Sequence, residues 1–114
     1  MAHTPSMGQA SDAAKAGLDA LVAALSETAD VQRASMFGMP SVKRRGGKAF
    51  AGLYGEDMVF KLTGDAHAQA LELDGAQLFE PMAGRPMKQW VQVPPAHQDR
   101  WLELARSAEA GLDG

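Results

Sequence analysis

The sequence contains no cysteine, and this absence excludes disulfide bonds, thiolate metal ligands and cysteine nucleophiles. Histidine is scarce as well: His3, His67 and His97 are scattered along the chain without the spacing of metal ligands. We therefore expect neither a metal site nor a cofactor. A chain without cysteine also fits the reducing environment of the cytoplasm, where we expect the protein to function.

Long apolar runs are missing too. No run approaches the ~20 residues that a helix needs to cross a bilayer, so no membrane partner is expected. The start, MAHTPSMGQASD, lacks the apolar segment behind a basic residue that marks a secretory signal peptide. We interpret residues 1–11 as a disordered lead-in, residues 12–110 as a single domain and residues 111–114 as a flexible tail.

Basic residues are fewer than acidic ones, 11 against 14, and the net charge is −3. Such a balance argues weakly against non-specific binding to nucleic acid. Yet the segment from Arg33 to Lys48 holds five basic residues and no acidic one. The sequence therefore allows a basic patch on an acidic protein.

Apolar periodicity predicts the secondary structure. Leu18, Leu21, Val22 and Leu25 recur at the spacing of one helix face, which predicts a helix within residues 11–28. Its first turn has Ser11 or Asp12 available as a cap.

The remaining elements follow from alternation and turn residues. Residues 31–62 contain alternating apolar runs and two short glycine-containing turns, which predicts an antiparallel meander. A short helix with Thr63 or Asp65 as its cap, strand pieces between residues 78 and 93, and a helix from Pro95 complete the order. The predicted fold class is α+β: a curved antiparallel sheet, with an N-terminal helix, a short middle helix and a C-terminal helix packed on it.

The most basic segment is the turn with the sequence KRRGGK. Arginine and lysine side chains in this turn suit contacts to phosphate. Lys61, Arg85 and Lys88 lie on predicted strands or loops near the same meander. Phe37, Tyr54 and Trp90 are aromatics that single-strand binders would use for stacking, although we expect most of the few aromatic residues in the core. The candidate nucleic-acid contacts are Lys43, Arg44, Arg45, Lys48, Arg85 and Lys88. The alternative is a solvated hairpin turn whose charges discourage edge-to-edge pairing.

Motifs for catalysis are absent. Gly46-Gly47-Lys48 precedes a predicted strand and is followed by Ala49, whereas a phosphate-binding loop opens a helix and continues with Ser or Thr. His67 and His97 each have a carboxylate two residues away, a spacing that does not bring side chains together on a helix. We predict no catalytic residues.

Four short motifs resemble the TfoX N-terminal domain family, which is related to YjbR-like proteins. They are R-x-x-M-F-G from Arg33, G-K-x-F-A from Gly47, F-K-L from Phe60 and GRPMKQWVQVP from Gly84. The resemblance spans residues 12–110 and implies a small α+β domain with helices on a curved antiparallel sheet. Named members of that family regulate natural competence, and they usually carry a second domain that resembles DNA-binding helix-hairpin-helix proteins. The family offers no catalytic residues.

Particular residues are expected to determine the fold. Gly38 and Gly47 should supply backbone freedom at turns, whereas Phe37 and Phe50 should pack between sheet and helix. Arg33 and Lys48 are candidates for structural ion pairs with acidic residues.

Three functions are compatible with these features. The first is a regulatory or adaptor module that acts through a protein partner, as the uneven charge and the methionine-rich sheet suggest. The second is nucleic-acid binding by the basic hairpin, residues 43–48. The third is a small enzyme or ligand-binding protein with a pocket near His67 or His97. Open sheet edges also make a homodimer a plausible assembly.

Overall fold

The computed structural model describes residues 11–36, 38–82 and 84–113. Its helices and strands follow one another in the predicted order. The helices and strands are α1 (Asp12–Leu25), β1 (Val31–Met36), β2 (Met39–Arg44), β3 (Ala49–Tyr54), β4 (Asp57–Lys61), α2 (Gly64–Leu71), β5 (Gln77–Met82), β6 (Arg85–Val93) and α3 (Trp101–Ala110). Two 3-10 helices flank α3, at Pro95–Arg100 and Gly111–Asp113.

The six strands form one antiparallel sheet with the order β1-β2-β3-β4-β6-β5. The sheet is curved and unclosed, and bulges interrupt its register between Val42 and Lys43 and again between β5 and β6. Bulges bend a strand and increase its twist, which accounts for the curvature. The predicted α+β fold class is confirmed.

Helix α1 begins where the sequence places a cap. The Ser11 hydroxyl accepts the backbone N–H of Ala14 at 3.1 Å. Ser11 also donates from its backbone N–H and its hydroxyl to the carboxylate of Glu56, at 3.0 and 2.8 Å. These bonds fix the start of α1 beside the β3–β4 turn. Among the described residues, no helix has both the length and the apolar character needed to cross a membrane.

The main core lies between the helices and one face of the sheet. Paired residues on neighbouring strands form a row of side chains across this face: Val42, Ala51, Phe60 and Val91. Leucines of α1 and the Trp101 side chain of α3 cover the row. Phe50 is fully buried in this core, as predicted, whereas Phe37 lies outside the described residues.

A second, smaller core occupies the opposite face of the sheet. It consists of Met39, Val59, Phe79 and Trp90, with Met36, Tyr54 and Met87 at its margin. The rings of Tyr54 and Phe79 meet edge to face with centroids 5.1 Å apart. Among the residues that the structure describes, β5 pairs with β6 alone, so this contact with β3 requires the sheet to curl over its own open face.

The basic hairpin turn differs from the prediction in one detail. The carbonyl of Arg44 accepts the N–H of Gly47 at 2.7 Å, which closes a four-residue turn. Gly46 occupies the third position with φ +75°, the position at which a type II turn requires a positive φ. Gly46, not Gly47, therefore supplies the backbone freedom here, whereas Gly38 has φ +76° as expected.

The chain termini complete this comparison. The predicted lead-in lies outside the described residues except for Ser11, which caps α1. Residues 111–113, predicted as part of a tail, form a 3-10 helix, and Leu112 packs against the main core. The predicted last helix is divided at its start: Pro95–Arg100 is a 3-10 helix in which His97 has non-helical dihedral angles.

Candidate anion-binding site

Strand direction brings the basic segments of the chain to one end of the sheet. Strands β2 and β4 run in the same direction and β6 runs the opposite way, so the ends of β2 and β4 lie beside the start of β6. The β2–β3 turn and the β5–β6 hairpin tip are at this end too. We call this region the basic end; it carries seven basic residues, which are Lys43, Arg44, Arg45, Lys48, Lys61, Arg85 and Lys88.

Acidic residues also lie at the basic end. They are Glu27 and Asp30 before β1, Asp65 in the first turn of α2, Glu80 in β5, Glu109 in the last turn of α3 and Asp113 in the 3-10 helix that follows. Six acidic residues against seven basic ones leave a surplus of one positive charge. The opposite end carries Glu56 in the β3–β4 turn, Asp57 at the start of β4 and Asp12 in the first turn of α1. Formal charge alone therefore distinguishes the two ends only weakly, and the cations that lack acidic partners decide what the basic end can bind.

Arg44 joins the sheet to the end of α3. Its Nε donates to Oε2 of Glu109 at 2.8 Å, and its Nη2 donates to the Glu109 backbone carbonyl at 2.9 Å. Its side chain is 29% exposed and that of Glu109 is 21% exposed. The guanidinium satisfies a carbonyl in the last turn of the helix, where a cation is also favoured by the helix dipole. Arg44 therefore has a structural role.

Two further arginines make ion pairs with acidic residues. Arg45 donates from Nε to Asp30 at 2.9 Å and from Nη1 to Gln32 at 3.2 Å, which ties the turn to the start of β1. Arg33 pairs with Asp19 of α1. The expectation of a structural ion pair is confirmed for Arg33. The same expectation has no support for Lys48, because this lysine has no acidic partner among the described residues.

Five cations of the basic end stay available to a ligand. They are Lys43, Lys48, Lys61, Arg85 and Lys88, and within the described part of the chain none of them forms an ion pair. Four of the five are among the predicted contacts. Val42 points to the main core and strand neighbours alternate, so Lys43 and Arg44 lie on opposite faces of β2.

A cleft opens at the basic end, between the β2–β3 turn, the end of β4 and the 3-10 helix after α3. Its volume is about 340 Å³. The lining consists of Arg44, Gly47, Lys48, Lys61, Thr63, Gln89, Gly111 and Leu112. Three of these residues are basic and none is acidic, so the cleft is chemically suited to an anion.

Thr63 and Gln89 were missed by the sequence-based site prediction, and Lys61, although expected near the meander, was not among the candidate contacts. The stronger signal for Lys61 is that it ends the second strand of the β3–β4 hairpin, and in a meander that strand ends beside the end of β2. No comparable signal exists for Gln89, because its place depends on β6 pairing with β4 across the intervening helix α2.

Both described histidines bind backbone carbonyls. His67 Nε2 lies 2.7 Å from the carbonyl oxygen of Lys88, and His97 Nε2 lies 2.8 Å from that of Asp74. A carbonyl only accepts, so each Nε2 donates its hydrogen. Neither ring lines the cleft. The third function, a small enzyme or ligand-binding protein with a pocket near His67 or His97, therefore stays a prediction.

Of the three aromatics that could stack on bases, Trp90 is buried and Tyr54 is half-buried. Trp90 is 7% exposed, and Tyr54 packs against the fully buried Phe79. Phe37 lies outside the described residues. Within the described chain, base stacking therefore has no open aromatic platform at this site, and no group of acidic and histidine side chains is arranged to hold a metal ion.

Comparison of the chain with models of protein families, with curated proteins and with solved structures found no match. The resemblance to the TfoX N-terminal domain family therefore stays a prediction that depends on the four sequence motifs.

Proposed function

We propose that this protein binds nucleic acid through phosphate contacts made by the basic end of its sheet. The observation that carries the proposal is the gathering of Lys43, Lys48, Lys61, Arg85 and Lys88 at one end, without ion-pair partners among the described residues.

The predicted binding mode is independent of base sequence. Phosphate contacts position a protein on nucleic acid, whereas base contacts supply specificity. Trp90 and Phe79 are buried, and the half-buried Tyr54 lies at the other end of β3, so the described residues of the basic end offer no aromatic ring on which single-stranded bases could stack. We therefore expect similar affinity for oligonucleotides of different sequence and a strong dependence on salt.

The number of available cations sets a ceiling on that salt dependence. Each neutralised phosphate contributes roughly −0.9 to the slope of log affinity against log salt on duplex DNA, and roughly −0.7 on single strands. Five cations therefore give a slope no steeper than about −4.5 on duplex and about −3.5 on single strands. A steeper slope would require Arg44 or Arg45 to leave its acidic partner, or cations outside the basic end to contact phosphate.

The test is a fluorescence anisotropy titration of labelled duplex and single-stranded oligonucleotides at several salt concentrations. The double variant Lys43→Gln/Lys88→Gln should weaken binding and reduce the slope by about 1.4 to 1.8. The matched control is Lys15→Gln/Arg106→Gln, which removes the same charge from exposed helix positions. Equal loss in both variants, or no binding by the wild type at low salt, contradicts the proposal.

A second candidate function is binding of a protein partner, as expected of a regulatory or adaptor module. The observation that favours it is a shallow groove of about 180 Å³ between the two long helices. Its lining is mainly apolar and consists of Gly17, Ala20, Leu21, Ala24, Gln98, Trp101 and Leu102.

Substitution at the groove tests this second function. Ala20→Gln should obstruct the groove without changing charge, whereas Ala13→Gln changes an exposed position of α1 outside it. A partner captured by the wild type and by Ala13→Gln, but not by Ala20→Gln, would support binding in the groove. Capture by all three proteins would exclude the groove as the contact surface.

A further inference from the structure

The cleft at the basic end contains two lysines whose charge is not compensated by an ion pair. Lys48 and Lys61 both line it and, among the described residues, neither has an acidic partner. The third cation of the lining, Arg44, is held by Glu109, which cancels its charge and fixes the guanidinium in place. The cleft therefore carries a local surplus of about two positive charges.

Neutral donors accompany these lysines. Thr63 precedes α2 as its N-cap residue, yet its side chain makes no capping hydrogen bond, so the hydroxyl is free to bind a ligand. The amide of Gln89 lines the same cleft. A Cβ atom placed on Gly111 would lie 3.8 Å from Oγ1 of Thr63, which shows how closely the 3-10 helix approaches this hydroxyl.

We propose that the cleft binds the phosphate group of a phosphate monoester. Such a group carries close to two negative charges at neutral pH and three strong acceptor oxygens. Two lysines match the charge, and the hydroxyl and amide donors add directional hydrogen bonds. A carboxylate carries only half that charge and two oxygens, so it would leave donors unused.

Volume limits the ligand that carries the phosphate. At about 340 Å³ the cleft is at the small end of ligand pockets, which span roughly 300–1,000 Å³. It suits a small phosphate monoester such as a mononucleotide, or the phosphorylated end of an oligonucleotide. This inference goes beyond binding along the nucleic-acid backbone, which requires the surface lysines but no cleft.

The probes are inorganic phosphate, adenosine 5′-monophosphate, adenosine and acetate, titrated at constant ionic strength into ¹⁵N-labelled protein. We expect phosphate and the monophosphate to shift the backbone amides of Lys48, Thr63, Gln89 and Gly111 in NMR spectra. Adenosine should shift none of them. Tighter binding of the monophosphate than of phosphate supports a nucleotide ligand, and equal binding supports the phosphate group as the sole determinant.

Three variants distinguish binding in the cleft from binding elsewhere at the basic end. Lys48→Gln/Lys61→Gln should weaken phosphate binding at least tenfold, whereas Lys43→Gln/Lys88→Gln removes the same charge and should change it less than twofold. Gly111→Leu narrows the cleft without changing charge, and it should weaken binding of the monophosphate at least tenfold. Circular dichroism confirms that each variant is folded.

Several outcomes would overturn the inference. They are acetate binding as tightly as phosphate, adenosine binding as tightly as its monophosphate, and equal losses in the two lysine variants. Weaker oligonucleotide binding by Lys43→Gln/Lys88→Gln, with phosphate binding retained, supports both proposals. Phosphate binding in a wild type that binds no oligonucleotide contradicts only the proposed function.

Discussion

The contact between Arg44 and Glu109 predicts a measurable coupling between the sheet and the last helix. The two residues are 65 positions apart, and their side chains are 29% and 21% exposed. Arg44→Met retains the apolar stem of the side chain but removes the guanidinium, and Glu109→Gln removes the negative charge while retaining the shape. A double-mutant cycle with these substitutions isolates the interaction.

The expected coupling free energy follows from the partial burial. Hydrogen bonds that involve charged groups contribute roughly 1.5–3 kcal/mol, whereas fully exposed ion pairs contribute roughly 0.2–1 kcal/mol. A pair with about a quarter of its surface exposed lies between these cases. We therefore expect a coupling of about 1–2 kcal/mol, with each single substitution lowering the free energy of unfolding by at least that amount.

Urea unfolding followed by circular dichroism measures the four free energies of the cycle. The matched control is Arg45–Asp30, the adjacent arginine with an equivalent Nε–carboxylate contact of 2.9 Å, but with side chains 61% and 72% exposed. Its coupling should stay below about 0.5 kcal/mol and should fall further in high salt. Equal coupling in the two cycles would refute the argument that burial strengthens the Arg44 contact.

Three other substitutions test single features of the fold by the same unfolding measurement. Phe79→Ala should destabilise the protein by about 3–5 kcal/mol, because the ring is fully buried in the second core; a cost below about 1 kcal/mol would contradict that burial. Ser41→Ala should stabilise it by about 1 kcal/mol, because the buried hydroxyl has no partner among the described residues; a clear loss would instead indicate a hydrogen bond to this hydroxyl. Gly46→Ala should cost about 1–2 kcal/mol for its positive φ, whereas Gly111→Ala, at φ −65°, is a control that should cost little.

The paired arginines explain why the most basic segment of the sequence is not the whole of the candidate site. Arg44 and Arg45 are the centre of that segment, yet both are engaged by acidic residues from other elements. The cations that stay available are mainly lysines, whose flexible side chains suit phosphate as point charges. We therefore expect substitution of the two arginines to affect stability more than ligand binding.

The local features of this protein are determined by its sequence. Leu18, Leu21 and Leu25 at helical spacing specify α1, and Ser11 is its cap. The turn between β2 and β3 follows from two adjacent glycines between alternating runs. Such signals involve residues within a few positions of each other, so they act before any long-range contact forms. The order of elements and the α+β class follow from them.

Tertiary structure alone decided which groups meet. The pairing of β4 with β6 places Lys61 opposite Trp90 and Leu62 against Gln89, so that Lys61 and Gln89 line one cleft together with the 3-10 helix after α3. The curl of the sheet buries Phe79 against Tyr54, which forms a second core instead of a stacking surface. These contacts join residues far apart in the chain, and they depend on how strands and helices pack. Local patterns of hydrophobicity and charge do not specify that packing. The sequence therefore indicated which residues are basic, and the fold determined which of them lack an acidic partner among the described residues.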